Sequence, residues 1–372
     1  MIPVHAPELG AAELAALERC IDAAEAGGHS PAVESFEAEF GLRVQSSHAV
    51  ATSSGTAALH LAFAALGIGP GDEVIVPSFT FAPCADMVTL TGATPIFVDS
   101  DPDTFNIAYA DVRCAMTPAT KAVLAVHLYG RPCALSALSE LCRERGVALV
   151  EDCAQGLGAE HDNRPVGLFG VLACYSFYAN KVITTGEGGM VTTEDGALAD
   201  RLRWLRSHAQ VADAERAYLH TAVGYNYRMS AFNAAVGRAQ LGRLDEFLAR
   251  KAANAARYSA RLADCPGVRV PAATPAADRH ANWAYAITVD PRIVVGGAGG
   301  LATFLQAHGC QTRRFYHPLH LHPAAAAGGS TARRLIACET FAPAGLVLPS
   351  GNALEPAQVD VVTAAIRSYV KA

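Results

Sequence analysis

Short, nearly uninterrupted apolar runs alternate along the chain with stretches whose apolar residues recur at helical spacing. The runs "EVIVPSF" (73–79), "TPIFVD" (94–99), "AVLAVHLYG" (122–130), "VALVEDC" (147–153) and "VLACYSF" (171–177) have the length of strands. They lack the in–out alternation of a half-exposed sheet, so they read as strands buried on both faces. Between them, "FAPCADMVTLTG" and "ALSALSELCRERG" each carry one apolar face and end at glycine, the common helix stop. This alternation predicts an α/β fold with a large, mostly parallel sheet covered by helices on both sides. Ligands of such sheets bind beyond the carboxyl ends of the strands.

The pattern changes near Ala234. "AAVGRAQLGRLDEFLARKAANAARYSARL" reads as one long helix, and a Pro- and Ala-rich turn, "VPAATPAAD", follows it. After the turn come a strand at "NWAYAITVD", a helix at "LATFLQAHG" and a closing helix at "EPAQVDVVTAAIRSYV". We therefore expect a large domain over 1–235, including an N-terminal segment, and a smaller C-terminal α/β domain over 236–372. "GGAGG" (296–300) and "AAAAGG" (324–329) read as loops, and the run after Lys181 reads as too rich in glycine for a strand.

Composition narrows the function. With 372 residues, 51% hydrophobic and 17% charged, the chain can bury a large core and is not a disordered protein. A net charge of −6 without a basic block argues against a nucleic-acid partner. No apolar run is long enough to cross a bilayer, and the start "MIPVHAPELGAAELAALERC" lacks the pattern of a signal peptide. Ten cysteines without a CxxC pair suit reduced thiols in a cytoplasm, and Cys84, Cys153 and Cys174 sit in apolar runs as core residues do.

Three stretches fall at predicted strand ends. "ATSSGTAALHLAFAAL" puts Ser54, Gly55 and Thr56 at the start of a helix, where free N–H groups and the helix dipole suit a phosphate. "VALVEDCAQGLGA" ends a buried strand with Glu151 and Asp152, carboxylates that need partners there. "SFYANKVITTGEGGMVTT" places Lys181 after a strand and before a glycine loop, with Ser176 nearby. Singly these are an ordinary N-cap, a capping or salt-bridged acid and a solvated loop lysine. Together they meet the needs of pyridoxal 5'-phosphate, whose phosphate, ring nitrogen and aldehyde require a cradle, an acid and an amine.

Five stretches, "GIGPGDEVIVPSFTF", "GATPIFVDSDPDTFNI", "VEDCAQGLGAE", "SFYANKVITTGEGGMVTT" and "GYNYRMSAFNAAVGRAQLGRLDE", occur in the order and wording of one family. The chain resembles the DegT/DnrJ/EryC1/StrS sugar aminotransferases. That resemblance implies the aspartate-aminotransferase fold (fold type I), a homodimer with active sites shared across its interface, and pyridoxal phosphate that becomes pyridoxamine phosphate in the second half-reaction. It further implies that Lys181 is the Schiff-base and proton-moving lysine, that Asp152 partners the ring nitrogen and that Gln155 lies near the ring hydroxyl. Ser54, Gly55, Thr56 and Ser176 would bind phosphate, Phe81 would stack on the ring, and Asn226 would reach the phosphate in the neighbouring subunit.

By the same resemblance the substrates are L-glutamate and a nucleotide-linked keto-sugar. The wording around Lys181 and Asn226 is most similar to members that aminate a GDP-linked 4-keto-6-deoxy sugar. Glu187, Arg313, Tyr316, His317 and His320 are the implied substrate contacts. The histidines of "TRRFYHPLHLHP" lack a carboxylate or cysteine at ligand spacing, so no metal is expected. Related dehydratases carry histidine where this chain has Lys181, which favours transamination. The alternatives are another GDP- or TDP-linked sugar aminated at C3 or C4, a dehydratase, and a non-catalytic sensor on the same fold.

Overall fold

The computed structural model describes residues 1–211, 218–327 and 334–371. Its strands in chain order are β1 (His48–Thr52), β2 (Glu73–Pro77), β3 (Thr94–Val98), β4 (Thr120–Val126), β5 (Ala148–Asp152), the short β6 (Glu160–His161) and β7 (Arg164–Pro165), β8 (Leu172–Ser176) and β9 (Gly189–Thr193). Seven of them form one sheet in the order β1-β9-β8-β5-β4-β2-β3. Only β9 runs against the rest, pairing antiparallel with both β1 and β8. The expected mostly parallel sheet is present.

The antiparallel member is the one the sequence hid. Residues 189–193 form a buried strand, not the glycine-rich irregular run expected. The reason is local crowding: an ideal Cβ at Gly189 would lie 2.4 Å from the Ser54 carbonyl oxygen, so its glycine marks a close crossing and no break. Gly189 pairs with Ser176 on one side and with Thr52 on the other. The ends of β1, β5 and β8 therefore meet along one edge of the sheet.

A second sheet comprises β10 (Val268–Arg269), β11 (Tyr285–Val289), β12 (Arg313–Arg314) and β13 (Gly345–Leu348), in the order β10-β11-β13-β12. Its own apolar cluster includes Leu262, Ile287, Leu301, Leu346, Val362 and Ile366, separate from the cluster around the large sheet. The stretch expected as one long helix is two, Ala231–Leu241 and Leu244–Leu262, jointed at Gly242 and Arg243. The first packs on the N-terminal helices Ala11–Asp22 and Pro31–Val44, so the expected boundary at 235/236 falls inside a helix. We propose the joint at Gly242 as the boundary.

"GGAGG" is not a loop. The helix Gly297–Ala307 begins inside it, and an ideal Cβ at Gly300 would lie 2.3 Å from the Tyr369 hydroxyl oxygen, so glycine lets the closing helix pack tightly. Of the stretch 324–329, the first four residues belong to the helix Pro323–Ala327 and the last two lie outside the described residues. At the other end of the chain, residues 1–6 form a strap on the second layer. Ile2 bonds to Gly309 and Gln311 at 2.7 and 2.9 Å, and the Ser350 N–H donates to the Val4 carbonyl at 2.8 Å. Among the described residues, no helix is long and apolar enough to cross a membrane.

Candidate active site

The turn after β1 is built from its side chains inward. The Ser54 hydroxyl accepts the Ala57 N–H at 3.0 Å and caps the helix Gly55–Ala65, while the Thr52 hydroxyl donates to the Ser54 carbonyl at 3.0 Å. The amides of Gly55 and Thr56, first in the helix, have no acceptor within it. An ideal Cβ at Gly55 would sit 2.6 Å from the Ser176 Cβ, so only glycine lets this helix start press on the end of β8. The "GYNYR" stretch supports the turn from behind, where the Tyr227 carbonyl accepts the Ser53 N–H at 2.8 Å.

At the end of β5 the two adjacent acids separate in role. Glu151 is fully buried, and its carboxylate accepts N–H groups of Gly167, Phe169 and Gly170 at 2.7, 2.8 and 2.7 Å and meets His127 Nε2 at 3.1 Å. Burial alone would raise its pKa; the bonds from His127 and the backbone outweigh burial and lower it. Asp152 lines the cavity instead. Its Oδ1 accepts the Ala154 N–H at 2.9 Å and its Oδ2 accepts the Cys84 thiol at 3.2 Å. Burial, then the Asp152 charge, push that thiol well up, so Cys84 stays a protonated donor. Gln155 is fixed by the Tyr129 N–H at 2.7 Å and reaches the Tyr316 hydroxyl at 3.4 Å.

Lys181 follows β8 through a tight turn in which its N–H donates to the Tyr178 carbonyl at 2.9 Å. The loop beyond it is held by Asn233, whose amide donates to the carbonyls of Thr185 at 2.6 Å and Glu187 at 3.0 Å. The side chain is not that of a solvated loop lysine. Its Nζ lies 4.7 Å from the ring centroid of Trp283, and burial lowers its pKa to about 8 against the opposing pull of Asp152 and Cys84, with Arg313 lowering it further. A buried amine of that proton affinity is available as a nucleophile and base near neutral pH.

A cavity of about 370 Å³ gathers Ser54, Gly55, Thr56, Phe81, Asp152, Gln155, Ser176 and Lys181, with Glu187, Arg313 and Tyr316 also on its wall. Phe81 is 58% exposed, which removes its reading as a core residue. Three expected site residues lie elsewhere. The Asn226 side chain is exposed and does not line this cavity. His320 bonds Ser78 Oγ at 2.6 Å and Glu339 at 3.3 Å, tying its loop to the end of β2, and His317 is exposed, its ring beside that of His322. The resemblance implied substrate contacts for both histidines, but neither lines this cavity, and His320 lies within the 3-10 turn Leu319–Leu321.

Thr80, Cys84, Tyr178, Asn180 and Trp283 also line the wall, and no local pattern marked them as site residues. Cys84 looked like core and is buried, yet it carries a hydrogen bond to Asp152. Trp283 comes from the second layer, just before β11, and its Nε1–H donates to the Asn180 carbonyl at 2.7 Å.

The profile of the DegT/DnrJ/EryC1/StrS aminotransferase family matches residues 7–367. A GDP-perosamine synthase of Caulobacter vibrioides is 38% identical over 98% of this chain and 97% of its own. A dTDP-3-amino-3,4,6-trideoxy-alpha-D-glucose transaminase of Streptomyces venezuelae is 39% identical over 98% of this chain and 93% of its own. Among solved structures, the aminotransferase TlmJ from Streptoalloteichus hindustanus superposes with a TM-score of 0.94 at 35% identity, covering 100% of this chain and 99% of that one.

Proposed function

We propose, from the premise that this chain belongs to the DegT/DnrJ/EryC1/StrS aminotransferase family, that it transfers an amino group from L-glutamate to C4 of GDP-4-keto-6-deoxymannose. The product would be GDP-perosamine. The observation that carries the chemistry is the convergence of Lys181, Asp152 and the Ser54–Thr56 helix start on one cavity. These residues fit pyridoxal phosphate: the contact of Gly55 with Ser176 leaves a cradle of free amides and a hydroxyl for its phosphate. Asp152 would face its ring nitrogen, Gln155 its ring hydroxyl, and the exposed Phe81 ring its face. When bound, that group supplies the electron sink for proton removal and carries the amine between the two substrates, as pyridoxamine phosphate in the second half.

The chain's own part is positioning and proton transfer. Lys181 moves a proton at the carbon that bears the amine, Asp152 holds a positive charge at the depth of the cavity, and Cys84 orients Asp152. Glu187, Arg313 and Tyr316 stand where the substrates would enter, Arg313 being the cation suited to a carboxylate or diphosphate. We assign no substrate contact to His317 or His320. Asn226, exposed beside the β1 turn, is assigned to the site of a second copy in a homodimer.

The relatives' names support the sugar assignment, and they also supply the rival reading, a TDP-linked sugar aminated at C3. Two measurements separate the parts. The purified protein should absorb in the visible, and borohydride should fix the cofactor on the peptide containing Lys181; label on another lysine would end the assignment. Amine transfer from glutamate to GDP- and TDP-linked 4-keto-6-deoxy sugars should favour the GDP substrate, whereas preference for TDP would refute the perosamine reading alone.

A further inference from the structure

Trp283 is fixed at both ends. Its Nε1–H donates to the Asn180 carbonyl at 2.7 Å, in the residue before Lys181, and its own carbonyl lies 3.4 Å from Lys251 Nζ. Against its indole packs the imidazole of His5, stacked with 4.9 Å between ring centroids and 14° between planes. His5 is brought there by the N-terminal strap that bonds to Gly309, Gln311 and Ser350. Both of its ring nitrogens are buried without a hydrogen-bond partner. Burial, then the nearby cations Lys251, Arg313 and Lys181, keep it neutral well below its ordinary pKa. A neutral ring stacked on an indole adds apolar contact and no competing charge.

Lys181 Nζ lies over the same indole. The titratable residues that share the cavity wall with it are Asp152 from β5, Cys84 from the helix Pro83–Leu90, Arg313 from β12, Glu187 from its own loop, and Tyr178 and Tyr316. Burial disfavours the ammonium, and the indole face attracts it. We propose that Trp283 is a positioning residue for Lys181, holding its ε-amino group over the ring and favouring the protonated form, with His5 and the N-terminal strap clamping the ring in place. This bears on the proposed reaction through Lys181 alone. The test below needs no turnover, so either idea can fail while the other stands.

The measurement is the pH dependence with which trinitrobenzenesulfonate modifies Lys181 in the full chain freed of cofactor, read by peptide mass. Only the unprotonated amine reacts. Trp283→Leu, which keeps apolar burial and removes the ring, should lower the midpoint by about 0.5 to 1.5 pH units. His5→Ala should shift it the same way by less, and an unchanged midpoint there would remove His5 from the clamp. If the leucine variant fails to fold, fluorinated tryptophans in a Trp204→Phe background weaken the ring's attraction without changing its shape. The midpoint should then fall stepwise with fluorination; a flat or rising series, or a folded Trp283→Leu with an unmoved midpoint, overturns the proposal.

Discussion

Lys251 is a buried lysine and Lys181 a half-buried one, and desolvation of their amines lowers their pKa values to about 7 and about 8. Their surroundings differ. Lys251 sits within the helix Leu244–Leu262 and donates to the carbonyls of Ser350 at 2.7 Å and Trp283 at 3.4 Å, a strut between that helix and the second sheet. Lys181 follows the large sheet, opens on a cavity and has the carboxylate of Asp152 among the groups that act on it. A depressed proton affinity is thus common to a strut and to a candidate catalytic amine. What separates them is the cavity, the acid across it and the backbone amides beside it.

The sharpest way to break that contrast is to remove each amine. Lys181→Ala should reduce turnover by roughly a thousandfold or more, as loss of a nucleophile and proton carrier does. Lys251→Met should leave turnover within a few-fold. Steady-state rates on the GDP-linked keto-sugar with glutamate decide it, and comparable losses in the two variants would mean that burial alone, not the site, was being read.

The same contrast recurs at Glu151 and Asp152, where alternation along β5 sends neighbouring acids to different faces. Asp152→Asn should slow both half-reactions by about a hundredfold, since a neutral amide no longer holds the cofactor's ring nitrogen protonated, with little change in melting temperature. Glu151→Gln should do the reverse. It breaks a carboxylate that satisfies three backbone N–H groups and His127, at a cost of about 3 kcal/mol seen by denaturant titration.

How far these pairs could be told apart beforehand depends on where their partners lie in the chain. Lys181, Asp152 and the Ser54–Thr56 turn were legible as a group, since Asp152 closes a strand whose apolar run announces it, Lys181 follows another such strand by a few residues, and Ser54 opens a helix. Trp283, His5 and Cys84 were not, since their contacts join stretches tens to hundreds of residues apart and no local pattern encodes such a meeting. Glycine misled in opposite senses: at 189 and 300 it serves close packing inside regular elements, while at 242 it helps to end a helix that periodicity alone would continue. His317 and His320 mark another limit: the resemblance implied substrate contacts for both, and neither lines the cavity.

A smaller effect tests whether the site is completed by a second copy. Lys181→Ala and Asn226→Ala chains, each weak alone, should recover up to about a quarter of wild-type activity when mixed and allowed to exchange, because half the dimers would be mixed and each would hold one intact site. Proven exchange without recovery would confine Asn226 to support of the β1 turn.

The subtlest test returns to Lys251 and reads stability against pH. Its pKa falls from 10.5 to about 7 on folding. Between those values the unfolded chain binds a proton that the folded chain does not, so stability gained through this residue rises with pH across that window. Below about pH 7 both forms are protonated and the contribution is flat at its least favourable. Lys251→Met has no such group, and the wild type should therefore gain on it by up to about 1.4 kcal/mol for each pH unit between about 7 and 9.5. Denaturant titrations of both proteins at several pH values give the difference directly. A difference that stays constant over the window would mean that Lys251 keeps its proton when folded, held by the Ser350 and Trp283 carbonyls, and the resemblance between the two lysines would then extend no further than their burial.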